Sequence, residues 1–304
     1  MVQMFESPLS GRGEAAVVLA ELMPMEGAKP AHVPGVTLWR VDQAIPRVPV
    51  LYEPCLVFVL QGSKRGFLNN RSFLYGPGTY LVLTAPLSFE CETTASPEAP
   101  LLCLYLRLQG RLIAELLAEM SLEHSPASRP AQTVQSIPMD SEMTGSVYRL
   151  VRALRKPDDA RVLGPQMVRE IVYRALQGPG GSALRSMVGL DRHFAQICRV
   201  MQHLHHEYDR KITVRELAMR SGMSPSVFHQ HFKQVMSTTP GQYVKSIRLH
   251  KARSLMIDQG LGVAEAALRV GCRSPSQFSR EFKRLFGYPP TSRFARHPSM
   301  PLLD

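Results

Sequence analysis

Hydrophobic and polar positions change their period twice along this chain, from irregular to strand-like to helical. Residues 1 to about 35 mix Pro, Gly and Glu around one apolar run, Ala15 to Leu22, which has the length of a two-turn helix. From Val36 onward, short runs rich in Val, Leu, Phe and Tyr follow one another, among them Leu56 to Leu60, Thr79 to Thr84 and Leu101 to Leu108. Turn residues at Gly62, Asn69-Asn70 and Gly76-Pro-Gly78 separate them, the texture of antiparallel strands in a barrel or sandwich. After Gly110 the apolar spacing suits helices at Leu112 to Glu119, Ser146 to Leu154 and Gly164 to Leu176, which predicts a helical layer following the strands. Gly178-Pro-Gly-Gly-Ser182 then reads as a linker or a helix stop.

Downstream, Phe194 to Tyr208 has helical spacing, and Thr213-Val-Arg-Glu216 carries a capping box for a short second helix. Next comes Ser224-Pro-Ser-Val-Phe-His-Gln-His-Phe-Lys233, which returns fifty residues later as Ser274-Pro-Ser-Gln-Phe-Ser-Arg-Glu-Phe-Lys283. In each copy a Ser hydroxyl can cap a helix, and Pro takes the first helical position, where no backbone N–H is needed. Phe228 and Phe232, and likewise Phe278 and Phe282, lie four residues apart and share one buried face. The opposite face offers Ser226, His229, Gln230 and Lys233 in one copy and Ser276, Ser279, Arg280 and Lys283 in the other, all able to hydrogen-bond bases or phosphates. Leu217, Ala218 and Gly222 ahead of the first copy, and Ala266, Ala267 and Gly271 ahead of the second, match the support helix and tight turn of a helix-turn-helix. The glycines are 49 residues apart and the serines 50, so the second turn is one residue longer. Between the units, Pro240 to Met256 reads as one helix, roughly 25 Å long at about 1.5 Å per residue. A spacer of that order can hold two recognition helices about 34 Å apart, in successive major grooves.

Charge sharpens this division. The formal charge is +11, and residues 191–297 hold 18 Lys/Arg against 7 Asp/Glu, while residues 1–190 hold 18 against 17. A polyanion is the partner this asymmetry favours for the last third, with a membrane surface as its rival. No apolar run reaches the length of a membrane span, and Met1 to Ser7 lacks a basic segment followed by a signal core, so the chain reads as cytoplasmic. Cys55, Cys91, Cys103, Cys198 and Cys272 are odd in number and form no Cys-x-x-Cys pair, which fits reduced thiols rather than disulfides or zinc. Cys55, Cys91 and Cys103 are retained as possible sensor thiols, against simple burial. Residues 36–110 contain no His and no ligand-like spacing of acids, no nucleophile elbow and no phosphate loop, so no enzyme chemistry and no cofactor or metal is expected. The adjacent His205 and His206 read as structural for the same reason.

Ser274-Pro-Ser-Gln-Phe-Ser-Arg-Glu-Phe-Lys-Arg-Leu-Phe-Gly-Tyr-Pro-Pro290 closely resembles the C-terminal signature of AraC/XylS-type bacterial transcription regulators, over about residues 191–297 and including Ile247-Arg-Leu-His-Lys-Ala-Arg253. Pro54 to Lys64, Tyr75 to Val82 and Arg169 to Leu176 resemble the subgroup with an AraC-type N-terminal domain. Gln230 departs from a usual basic residue, Cys272 and Arg273 from an aromatic-acidic pair, and Ser237 from a glycine. The resemblance implies an α+β protein: a cupin-like β-barrel with a helical layer over residues 1–184, for ligand sensing and dimerisation, and an all-α tandem helix-turn-helix domain over residues 185–304. It implies double-stranded promoter DNA, RNA polymerase, a second copy of the chain and a small-molecule effector as partners, and an activator by family habit. Ser224, Ser226, His229, Gln230, Lys233, Arg273, Ser276, Ser279, Arg280 and Lys283 are the DNA-contact candidates. The effector pocket is expected inside the barrel, lined by alternate strand residues and mostly apolar. Dimerisation is expected from apolar positions in Leu112 to Met120 and Val147 to Leu154. Two alternatives remain: a DNA-modifying alkyl-acceptor enzyme fused to such a reader, and an effector-independent architectural DNA binder.

Overall fold

The computed structural model describes residues 10–68, 71–120, 132–188, 192–210, 212–236, 238–272 and 274–292. Asn69-Asn70, Ser237 and the segment Met1 to Ser7, each invoked above, lie outside the described residues. Helix α1 (Ser10–Leu22) precedes strands β1 (Gly27–Pro30), β2 (Val36–Val41), β3 (Ile45–Tyr52), β4 (Cys55–Gln61), β5 (Ser63–Leu68), β6 (Arg71–Tyr75), β7 (Thr79–Leu83), β8 (Leu87–Thr94) and β9 (Leu101–Arg107). Helix α2 (Gly110–Glu119), strand β10 (Val134–Pro138) and helices α3 (Ser141–Ala153), α4 (Pro157–Gln177) and α5 (Gly181–Ser186) follow. The remainder is helical: α6 (Arg192–His206), α7 (Val214–Arg220), α8 (Pro225–Met236), α9 (Pro240–Asp258), α10 (Val263–Arg269) and α11 (Pro275–Phe286).

Among the described residues the strands form a six-stranded sheet, β1-β2-β9-β4-β7-β10, and a four-stranded sheet, β3-β8-β5-β6, with antiparallel pairing throughout. The unbroken apolar runs belong to the larger sheet because both its faces are covered. Val57, Val59, Leu81, Leu83, Leu101, Cys103 and Tyr105 face the smaller sheet, while Leu56, Phe58, Val82, Leu102, Leu104 and Leu106 pack with Leu19, Ile113, Leu116, Leu150, Ile171 and Leu184 of the helical layer. Strand β8 of the smaller sheet alternates instead, with Leu87, Phe89, Cys91 and Thr93 inward and Ser88, Glu90, Glu92 and Thr94 less buried. Between α3 and α4, burial raises the pKa of Glu170, but hydrogen bonds from Arg149, Arg174 and Ser146 outweigh it and hold the carboxyl at about 2.

Two expectations change on this scaffold, and one pair of alternatives is decided. Large aromatic side chains project into the space between the sheets. Trp39, Tyr52, Tyr75, Phe89 and Tyr105 meet there with buried Lys64, whose Nζ lies 4.6 Å from the Trp39 ring centroid. Rings from the two sheets stack there, Tyr52 against Phe89 at 4.8 Å and against Tyr105 at 6.2 Å. The apolar positions assigned to dimerisation are also used up internally: Val147, Leu150, Val151, Leu154, Ile113 and Leu116 are buried against the protomer's own sheet. Of the two readings of Gly178 to Ser182, linker and helix stop, the second holds: α4 ends at Gln177 and α5 begins at Gly181. Gly178 caps α4, and a Cβ on Gly181 would stand 2.0 Å from the carbonyl oxygen of Leu176.

Residues between the sheets belong to one apolar cluster with Ile197, Val200, Met201 and Leu204 of α6, Phe228 and Phe232 of α8, and Tyr243 and Ile247 of α9. At the edge of this contact the buried His250 places Nε2 3.2 Å from Ser88 Oγ, and the ring meets Phe286 edge-on. Burial first, and then the charges of Arg253 and His205, push its pKa down to about 3. The folded value lies below that of a free imidazole, so the stabilisation is fully present above about pH 6.5 and is lost as pH falls toward 3. Between pH 7 and pH 5 the protein is expected to lose roughly 2 kcal/mol through this histidine. Urea midpoints at the two pH values check it: His250→Gln should show a correspondingly smaller difference than the wild type, and an identical difference would contradict the assignment.

Candidate nucleic-acid interface

Each helix-turn-helix is built from short-range chemistry. Thr213 accepts a hydrogen bond from the Glu216 backbone N–H at 3.2 Å through its hydroxyl, the N-cap half of the capping box. Helix α7 ends with Gly222 at φ +65°, and α10 ends with Gly271 at φ +75°. The two turns share their hydrogen bonds, Met223 N–H to Ala218 O at 3.0 Å and Cys272 N–H to Ala267 O at 2.9 Å. The extra residue of the second turn therefore follows a shared geometry. Space differs more than conformation does: a Cβ on Gly271 would lie 2.0 Å from the Asp209 carbonyl oxygen, whereas at Gly222 the nearest atom would be 3.8 Å away.

Ser224 and Ser274 cap α8 and α11, accepting from Val227 N–H at 3.4 Å and Gln277 N–H at 3.3 Å. Phe228, Phe232 and Met236 bury one face of α8, and Phe278, Phe282 and Phe286 bury the equivalent face of α11. These anchors turn Ser226, His229, Gln230, Lys233, Ser276, Arg280 and Lys283 outward, and all seven are exposed. His229, Gln230, Lys233, Arg280 and Lys283 make no hydrogen bond or ion pair within the protein among the described residues. They are cations and hydrogen-bonding groups held ready for another molecule. Ser279 is half-buried and donates its Oγ proton to the Pro275 carbonyl at 2.9 Å, which leaves it only acceptor capacity. Arg273 lies outside the described residues.

Val227, Gln234, Gln277 and Arg284 are exposed on the same helices, and sequence reasoning passed over them. Plotting both helices around their buried phenylalanines would have found them, since each sits opposite that face. Arg284 also lines a cleft with Leu87 and Ser88 of the smaller sheet. The basic residues of α9 are mostly structural. Arg248 donates to the carbonyls of Tyr208 and Arg210 at 2.7 and 2.8 Å, Arg253 is buried with its guanidinium 5.4 Å from the Phe286 ring, Lys251 lies over Tyr208, and Lys245 pairs with Glu281 at 3.2 Å.

The three candidate sensor thiols line the space between the sheets and are buried. Burial pushes Cys55 well up, with Glu53 adding to it. Burial raises Cys91 against the opposing pull of Lys64 and the tyrosine hydroxyls, and Cys103 is pushed up to about 12 by burial despite Lys64. A reactive sulfur needs the thiolate, which each of these settings disfavours.

Residues 32–183 match the family described as the AraC-type transcriptional regulator N-terminus, and residues 217–296 match a helix-turn-helix domain family. The chain is 27% identical over 250 residues to the transcriptional activator NphR of a Rhodococcus species, covering 79% of this chain and 68% of that protein. It is 37% identical over 92 residues to the probable transcriptional regulator LumQ of Photobacterium leiognathi, which is 30% of this chain and spans only 36% of that relative. In fold it is similar to the unsaturated fatty acid bound form of ToxT from Vibrio cholerae, with a TM-score of 0.58 at 11% identity over 86% of this chain and 94% of that one.

The two turn glycines are expected to respond unequally to substitution. Gly222→Ala should cost about 1–2 kcal/mol from the left-handed backbone alone, whereas Gly271→Ala must also move Asp209 and should lower the thermal midpoint further. Equal shifts in the two variants would contradict the packing described at Gly271.

Proposed function

Because this chain belongs to the AraC-type transcriptional regulators, we propose that it is a sequence-specific DNA-binding transcription regulator, an activator, in which α8 and α11 enter successive major grooves of promoter DNA. The observation that carries this reading is the duplicated reader, with buried phenylalanines on one face and uncompensated polar and cationic groups on the other. Ser226, His229, Gln230, Ser276 and Arg280 are the base readers. Lys233, Lys283 and Arg273 contact phosphates, while Ser224 and Ser274 hold the helix ends on which the phosphates settle. Helix α9, 19 residues and so about 28 Å long, sets the distance between the readers.

Residues 1–184 form the signal-receiving and dimerising part, and residues 185–304 the reading part. A small molecule acts by shifting the population of arrangements in which both readers engage. The fatty acid of ToxT and the activator name of NphR support an effector-controlled activator. The protein works as a homodimer in contact with RNA polymerase in the cytoplasm. No described helix is long and apolar enough to cross a membrane. Regulation of this kind requires no catalytic step, and the buried thiols of the barrel suit an alkyl-acceptor enzyme poorly.

Two measurements test the reading. Binding to genomically selected DNA should weaken by about a thousandfold between 50 and 200 mM salt if about six phosphates are engaged, and a flat salt response would sink it. Arg280→Ala should cost about 1–3 kcal/mol and relax preference at one base position, whereas Lys283→Ala should weaken all sequences nearly alike. Uniform loss in both variants would remove base reading from Arg280.

A further inference from the structure

One outward side chain of α11 is held in place by the protein itself. Gln277 is exposed in the first turn of that helix, where its backbone N–H meets the Ser274 hydroxyl at 3.3 Å. Its side-chain Nε2 donates to Oε1 of Glu281, one turn on, at 3.3 Å. The same oxygen accepts from Nζ of Lys245 on α9 at 3.2 Å, and the Glu281 side chain is only 17% exposed. A carboxylate anchored from the linker helix therefore fixes the amide of a residue that faces outward. The helix does not need this clamp in order to form. At the equivalent positions of α8, fifty residues earlier, stand Val227 and His231, and His231 stacks on His193 of α6 with ring centroids 4.2 Å apart. Phe228 and Phe232 are buried there all the same. The clamp is thus particular to the second reader.

Chemistry decides what the clamped amide can offer. A glutamine side chain has two N–H donors and one carbonyl acceptor. Bonding Glu281 through the N–H remote from Oε1 keeps that carbonyl away from the carboxylate, and it leaves the other N–H and Oε1 side by side on the free edge. This donor-acceptor edge complements adenine in the major groove, where N7 accepts and the N6 amino group donates. Guanine presents acceptors at both N7 and O6, so Oε1 would face O6 with no proton between them. Turning the amide over to suit guanine would aim Oε1 at the Glu281 carboxylate and leave two acceptors unsatisfied. Lys245 also offsets a charge that would otherwise repel the phosphates along the groove. In a groove-bound recognition helix the N-terminal residues are those that reach base edges, which is where Gln277 lies.

We propose that Gln277 reads an adenine in the groove entered by α11, and that Glu281, anchored by Lys245, is the positioning residue that gives the amide its adenine-selective orientation. The assignment rests on the DNA-reading function proposed above and adds a residue to its base readers. Its test uses the full chain as wild type, Gln277→Ala and Glu281→Gln, in competition binding to DNA selected by the wild type, with each base pair of the operator replaced in turn. Wild type is expected to bind about tenfold less well when one particular adenine gives way to guanine, and severalfold less well when 7-deazaadenine, which lacks the N7 acceptor, takes its place. Gln277→Ala should treat all three bases alike at that position, within about twofold, and keep the wild-type ranking elsewhere. Glu281→Gln is near in shape but frees the amide to turn, so its preference for adenine over guanine should fall to about threefold or less. Loss of stability does not produce a change confined to one base pair. A Gln277→Ala profile identical to that of the wild type, or weakened equally at every position, overturns the adenine assignment. An undiminished preference in Glu281→Gln overturns the positioning role. If that variant does not fold, Lys245→Met, at an exposed side chain, is measured in its place and judged by the same outcome. Wild-type protein that selects no DNA overturns the DNA-reading function and this assignment with it, whereas wild-type selection with no base preference that depends on Gln277 overturns the assignment alone.

Discussion

The burial of the phenylalanine pairs Phe228/Phe232 and Phe278/Phe282 is the interaction on which the proposed reading depends, because it sets the rotation of α8 and α11 about their own axes. Burying a side chain of this size contributes about 1.5–3 kcal/mol, and truncating it costs about 3–5 kcal/mol, so the helices are not free to roll. Once that rotation is set, the identity of the outward residues follows from the helical period alone. The serine caps start both helices at equivalent points, and the shared glycine turns bring them to their support helices in the same way. What differs between the units is outward chemistry: His229 and Gln230 in one, and Arg280 in the other, where Ser279 turns its hydroxyl back to the Pro275 carbonyl. The two readers are thus equivalent in geometry and distinct in what they can recognise.

The N-terminal half follows from a different constraint, a sheet covered on both faces. The six-stranded sheet is sandwiched between helices and a second sheet, so its apolar positions are consumed within the chain. Little apolar surface is left over on α3, and the space between the sheets holds aromatic rings and an internal lysine. Lys64 there is buried, and desolvation pushes its pKa down while the neighbouring thiols pull it back up. The same half presents Glu53, Pro86, Ser88 and Thr133 to the helices that carry the first reader. Packing and polar contacts thus run without a break from the barrel interior to α9.

Much of this is legible in the sequence. The repeat of Ser-Pro-Ser with its phenylalanine spacing, the capping box at Thr213 and the uninterrupted run from Pro240 are local signals, and local signals survive folding. Strands β4, β7 and β9 were equally plain as apolar runs. Their two faces were not, since a run without alternation says that both sides are covered but not by what. The dimer positions on α3 failed for this reason: an apolar helix face has the same pattern whether it meets its own sheet or a partner. Arg248 and Arg253 carry charges that suggest DNA, yet the carbonyls of Tyr208 and Arg210 and the ring of Phe286 that engage them lie elsewhere in the chain. The polar contacts between the two halves were illegible for the same cause: Glu53 and Pro86 lie in turns between strands, His205 and Tyr243 lie on α6 and α9, and they meet only in the folded chain.

The central claim is that one chain places two helices in two consecutive grooves, and hydroxyl-radical footprinting of the protein on an operator half-site tests it most directly. The expected result is two protected backbone patches on one face of the duplex, about one helical turn or roughly 34 Å apart, with the intervening face open. A single patch, or two patches on opposite faces, would contradict the arrangement of α8 and α11 on α9.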